Sequence, residues 1–128
     1  MKNMQRVFKT RHFSRWMGKT ELTDSMLCES VTEMVNGLID ADLGAGIVKK
    51  RIAMPGRGKS SGARTLIATN RGSRWFFVYG FEKNDRANID ANELTAVQKY
   101  GADLLTMTAK QLETAEADGS LKEICHAH

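Results

Sequence analysis

Ten basic side chains crowd residues 47 to 86: Lys49, Lys50, Arg51, Arg57, Lys59, Arg64, Arg71, Arg74, Lys83 and Arg86. Only Glu82 and Asp85 oppose them, so this segment carries a net +8, whereas the other 88 residues, with nine basic and thirteen acidic side chains, carry −4. Cations converging on one surface form a site for phosphates, most naturally those of a nucleic acid. RNA brings its own nucleophile, the 2′-hydroxyl. Its cleavage requires in-line geometry, removal of the 2′ proton and stabilisation of a dianionic phosphorane. Packed cations depress one another's pKa, which can make a lysine a usable base. The permanently charged arginine fork suits the non-bridging oxygens. DNA lacks the 2′-hydroxyl, so this route is specific to RNA.

Other chemistries find less support. His12, His126 and His128 lie outside the basic block, whereas a nuclease with paired histidines would hold them against the phosphate. A surface or packing role suits His12 better than a catalytic one. Cys125, His126 and His128 are too few for a metal centre, and no carboxylate cluster suits Mg²⁺. Neither a metal nor a cofactor is expected. Residues 53 to 60 approach a phosphate-binding P-loop, but Ala53 stands where the motif needs glycine, and a strand follows instead of a helix. A basic loop embracing a nucleic-acid backbone fits this stretch, and a solvated connection is the plainer alternative.

Elements that could position these residues follow from periodicity. Met4 to Phe8 suits a first strand and Lys9 to Met17 a short helix with Phe13 and Trp16 on one side. Thr23 is placed to cap a second helix, with Leu22 and Leu27 as a hydrophobic staple. Leu27, Val31, Met34, Val35 and Leu38 share a face at helical spacing, and Leu43 to Gly46 is expected to end that helix. Strands follow at Ile47 to Ala53, Arg64 to Thr69 and Arg74 to Phe81, with a turn at Asn70 to Ser73. Alternation turns Lys49 and Arg51 one way and Lys50 the other, with snorkelling at a sheet edge as an alternative for some of them. In the last strand Trp75, Phe77, Tyr79 and Phe81 face one side, and Phe76 and Val78 the other. Apolar residues on both faces mark a central strand. Lys83 and Arg86 follow it, either leaning over the sheet or forming a solvated turn that Glu82 and Asp85 neutralise. Capping boxes at Asp90/Glu93 and Thr108/Gln111 open two more helices, the first with Leu94, Val97, Ala102 and Leu105 as its apolar side. Gly119 should stop the second, and Leu121 to Ile124 pack back on the domain.

The chain of 128 residues is expected to form one α+β domain over residues 1 to 128. It contains no apolar run of about 18 residues and no signal-peptide core, so a cytoplasmic protein without membrane contact is expected. Cys28 and Cys125, far apart and outside any CxxC spacing, read as two free thiols in a reducing compartment.

The run Leu38 to Gly44, then Lys49-Lys50-Arg51, Gly58 to Arg64 and Tyr79 to Ile89, resembles the RelE/HigB-like toxins of bacterial type II toxin–antitoxin systems. The resemblance covers roughly Phe8 to Ile124. It implies N-terminal helices packed on a twisted antiparallel sheet, with C-terminal helices added. It implies an endoribonuclease that cuts mRNA in the ribosomal A site by 2′-hydroxyl attack, and an antitoxin partner, often of helix-turn-helix type. By position, the catalytic set would be Lys50, or its neighbours Lys49 and Arg51, with Arg64 and Lys83. Lys49, Arg51, Arg57, Lys59, Arg86 and Tyr79 would bind RNA. Studied family members carry a tyrosine after the last strand. None lies between Phe81 and Tyr100 here, leaving Tyr79 and Phe81 as candidates to stack on a base. The same superfamily includes ParE-like toxins that act on DNA gyrase, and a module that only binds RNA or the antitoxin is a third possibility.

Overall fold

A computed structural model describes residues 5–54, 62–83, 85, 86 and 88–125. The elements run β1 (Arg6–Thr10), α1 (Arg11–Met17), α2 (Asp24–Val35), β2 (Ala41–Gly44), β3 (Ile47–Ile52), β4 (Ala63–Thr69), β5 (Arg74–Glu82), α3 (Ala91–Leu105), α4 (Ala109–Ala117) and β6 (Leu121–Ile124). The strands form one sheet in the order β2-β3-β4-β5-β1-β6. Helices cover both of its faces, which gives the α+β architecture expected of a RelE-like domain.

The sheet is mixed rather than wholly antiparallel. β1 lies parallel to β5, with Val7 beside Trp75 and Lys9 beside Phe77, and antiparallel to β6. The chain leaves β1 through α1 and α2, runs the β2–β5 meander, and re-enters beside β1 in the same direction. Apolar side chains fill both faces. Val7, Val48, Ile67, Trp75 and Phe77 pack with Phe13, Leu27, Val31 and Met34 on the side of α1 and α2. Phe8, Ile47, Leu66, Ala68, Phe76 and Val78 pack with Val97, Leu104 and Leu112 on the side of α3 and α4.

Helix starts follow the sequence. The hydroxyl of Thr23 accepts from the Met26 amide, and complete capping boxes stand at Asp90/Glu93 and Thr108/Gln111. The end of α2 does not. It stops at Val35, where Gly37 takes φ +93° and donates to the Met34 carbonyl while Leu38 donates to that of Glu33. This is a Schellman close, which glycine favours because the position is left-handed. Val35 and Leu38, 49% and 59% exposed, are not part of the buried face. Residues 41–44 form β2 instead of ending a helix, and 44–46 make the turn into β3. On α3 the buried residues are Val97, Gly101 and Leu104, and Ala102 faces out. A side chain at Gly101 would meet Ile47 Cδ1 at 2.8 Å, so glycine lets α3 lie directly on β3 and β4.

The cysteines are not free thiols. Cys28 of α2 and Cys125, just past β6, form a disulfide with Cα atoms 5.5 Å apart. The antiparallel pairing of β6 with β1 returns the end of the chain to α2, across 97 residues of sequence.

Candidate functional site

A bulge in β5 decides what lies beside the cations. Leu66 pairs with Tyr79 but the next residue, Ile67, pairs with Phe77, so Val78 is an extra residue opposite β4. Such an insertion breaks the two-residue alternation. Phe77 stays on the α1/α2 face as expected, whereas Tyr79 packs with the α3/α4 cluster. Gly80 points the other way, where a Cβ would fall 2.3 Å from the Trp16 ring. Tyr79 and Phe81 therefore share a face with Phe76 and Val78, not with Trp75 and Phe77.

On this face two cross-strand rows run side by side. Lys49, Leu66 and Tyr79 make one, and Arg51, Arg64 and Phe81 the other. α3 covers the sheet where Ile47 and Ala68 lie, at the far end of β3 and β4 from the second row. Arg51 is exposed and Lys49 half-buried; Arg64, between Arg51 and Phe81, keeps only 7% of its surface and donates to the Gly62 carbonyl at 3.2 Å. Lys83 leaves the end of β5 and is exposed, its backbone amide donating to Gly62. The structure thus brings Lys49, Arg51 and Arg64 to one end of one face, with Lys83 just past the end of β5. Arg57 and Lys59 lie outside the described residues.

Lys50 does not join them. It faces α2, 3% exposed, with Nζ 2.8 Å from Glu33 Oε1 and donating to the Leu38 carbonyl at 2.8 Å. Alternation separates it from Lys49 and Arg51, and its contacts tie the end of α2 and the following turn to the sheet. Its side chain lies on the opposite side of the sheet from Lys49, Arg51 and Arg64.

Arg86 is held in a local cluster. Its guanidinium forms a two-pronged pair with Glu93, at 2.6 and 2.9 Å, and donates to the Tyr79 hydroxyl at 3.0 Å. It also lies 5.8 Å from the centre of the Phe81 ring. The Arg86 hydrogen bonds, joined by the Asp90 amide, hold the Glu93 carboxyl down at about 2. Burial, with the Glu93 hydrogen bond second, pushes the Tyr79 hydroxyl up from 10, so this phenol is a proton donor and not a ready base. His12 stacks on Tyr79, ring centres 5.5 Å apart and planes 6° from parallel, which places a histidine next to the cationic face. The sequence allows His12 to reach the site but favours a surface or packing role for it, and the fold lays α1 beside β5.

Charge engagement sorts the cations. Lys9 pairs with Asp24, Lys50 with Glu33, Arg51 with Asp40, Arg71 with Asp42 and Arg86 with Glu93. Among the described residues, Lys49 and Lys83 have no side-chain hydrogen bond or ion pair. Also among the described residues, no group of three or more His, Cys, Asp or Glu side chains could hold a metal ion, and no helix is long and apolar enough to cross a membrane.

Helices on both faces of a mixed sheet, with cations and aromatic rings at one end of one face, define a small α+β protein. The chain belongs to a known family: the model of the RelE toxin of the RelE/RelB toxin–antitoxin system matches residues 5–124. It is the toxin of such a pair, and an antitoxin is its partner. No curated protein matches the chain.

Proposed function

We propose that this toxin is a ribosome-dependent endoribonuclease, acting as a single domain, that cuts mRNA by attack of the 2′-hydroxyl on the adjacent phosphate. The observation that carries the reading is the pair of unengaged lysines, Lys49 and Lys83, on either side of Arg64. Of the other described cations of the block, Lys50, Arg51, Arg71 and Arg86 each pair with a carboxylate, and Arg74 donates to the Met107 carbonyl. Cations left without local partners favour a ligand that supplies the missing charge.

In this mechanism Lys49, which has no internal partner for its side chain, is the candidate to take the 2′ proton. Arg64 presents its fork to the non-bridging oxygens of the phosphorane. Lys83 stabilises the phosphate and the departing 5′-oxygen. Arg51 positions the backbone, and Tyr79 and Phe81 border the base. The ribosome would hold the mRNA in the bent, in-line geometry that these residues do not impose by themselves. A helix-turn-helix antitoxin with an acidic segment over this face would neutralise the toxin.

In-vitro translation followed by primer extension tests this. The wild type should break mRNA, and Lys49→Ala with Lys83→Ala should abolish the breaks without unfolding, since both side chains lack internal partners. Intact mRNA with the wild type would sink the reading. Continued translation together with lost DNA supercoiling would install the gyrase-directed alternative.

A further inference from the structure

Beside the cationic face lies a cleft of about 310 Å³ between α1, β5 and α3, lined by His12, Val78, Tyr79, Glu93, Val97 and Tyr100, with Ala96 at its edge. Its volume is at the lower end for small-molecule sites. Val78 and Val97 are buried and make its floor, whereas His12 and Tyr100, the latter 40% exposed, present ring surface to solvent. Large exposed aromatic surface at the rim of an apolar hollow marks a place for a flat partner.

The α1 side of the rim is cationic, and the Glu93 carboxylate on the opposite side is compensated by Arg86. α1 contains no acidic residue, and its solvent side carries Arg11, His12 and Arg15, followed by Lys19. Arg15 stands three residues from His12, so the two are neighbours on the helix surface. Arg11 is fixed by hydrogen bonds to the carbonyls of Asp118 and Gly119, close enough to Tyr100 for its charge to act on that hydroxyl. Aromatic rings beside a cationic track are what a single nucleic-acid strand uses, bases stacking on the rings and phosphates following the charges. Tyr79 belongs to both places. It lies in the row of Lys49 and also lines the cleft.

We propose that the His12–Tyr79–Tyr100 cleft is a nucleotide subsite, which takes one base of the RNA strand next to the cleaved position while Arg15 and Arg11 hold its phosphate. The assignment rests on the RNA-cleaving reading above and extends it to α1 and α3, which that reading does not use. A base enters over Tyr100 and the apolar floor, edge-on to the existing His12–Tyr79 stack. Stacking tolerates every base, so this subsite adds affinity and register with little sequence preference.

Binding of a short, fluorescently labelled single-stranded RNA to the full chain, followed by anisotropy across a salt series, tests the assignment. Tyr100→Ala should weaken binding about fivefold, the low end for one stacked base, and Tyr100→Trp should restore it. Arg15→Ala should weaken binding and reduce the salt slope by about 0.7, the value for one phosphate contact on a single strand. Wild-type affinity in Tyr100→Ala and Arg15→Ala, with affinity lost in Lys49→Ala/Lys83→Ala, would overturn the subsite and leave the RNA-cleaving reading intact. Absence of RNA binding by the wild type would overturn the subsite, while the RNA-cleaving reading stands or falls on the translation assay above. Loss of antitoxin affinity in Tyr100→Ala with RNA affinity unchanged would make the cleft a protein-docking surface and overturn the assignment.

Discussion

Arg51 and Arg64 face each other directly across the β3–β4 ladder. Like charges at opposed positions destabilise a sheet, so the arrangement works against the fold that contains it. The protein answers locally: the Asp40 carboxylate accepts from the Arg51 amide at 2.7 Å and from its Nε at 3.3 Å, and Arg64 turns to the Gly62 carbonyl. An arginine pair kept at some cost on a face bordered by aromatic rings is consistent with selection for a ligand rather than for stability.

Arg51→Ala should therefore separate stability from binding. Removing an exposed ion pair and a like-charge contact together leaves folding free energy within about 0.5 kcal/mol of the wild type. RNA affinity should fall, with the salt slope reduced by about 0.7. Denaturant melts and salt-dependent binding on the same variant check this. A large stability loss with unchanged binding would give Arg51 a purely structural role.

The Arg86–Glu93 pair predicts an acid response. Glu93 is held at about 2 against an ordinary 4.5, first by Arg86. A carboxylate lowered in the folded state stabilises that state above its unfolded value and loses the contribution as pH falls through its folded one. The stability difference between the wild type and Glu93→Gln should be constant above about pH 5 and shrink from pH 4.5 towards 2. Thermal melts at pH 7 and pH 2.5 measure it. A gap of equal size at both would mean that charge plays no part in the pair.

How much of this was legible in the sequence depends on the range over which each feature is decided. Thr23, Asp90/Glu93 and Thr108/Gln111 announce their helices because a cap is settled within four residues. The stop at Asn36-Gly37 was equally local, but Val35 and Leu38 continued the apolar rhythm and masked it. Alternation placed Lys49 and Arg51 opposite Lys50. It failed at Tyr79, because a bulge depends on the register of the neighbouring strand and leaves no mark in the bulged one. Pairing across the sheet was also out of reach, hence the parallel β1 and the meeting of Cys28 with Cys125. The neighbourhood of His12, Tyr79 and Tyr100 is a tertiary fact that no spacing encodes.

The disulfide makes stability depend on redox state. A bond closing about a hundred residues restricts the unfolded chain, and losing it costs about 2–4 kcal/mol. Cys28→Ser, or the wild type in excess reductant, should melt roughly 10 °C lower than the oxidised protein. Cys125 follows the edge strand β6, so its release should also raise hydrogen exchange at residues 121–124 before the rest of the sheet. Equal melting temperatures in both states would show that non-covalent packing of β6 on β1 already holds the terminus.

Lys50 offers the sharpest separation of placement from chemistry. The resemblance put it first among the candidate catalysts, and the structure seats it under α2 with Glu33 and the Leu38 carbonyl. Lys50→Met keeps the length of the side chain and its apolar stem while removing the ammonium. The Leu38 carbonyl then loses a charged donor, and Glu33, which is partly exposed, regains water. The expected cost is about 1–2 kcal/mol, less than for a fully buried pair because only one partner is left without solvent. A residue acting only through α2 should leave cleavage per folded molecule near the wild-type rate well below the melting temperature, whereas Lys49→Ala should abolish cleavage at undiminished stability. If Lys50→Met instead stopped cleavage with the fold intact, the substrate would have to engage the α2 side of the sheet, and α2 would have to move away for the reaction to occur.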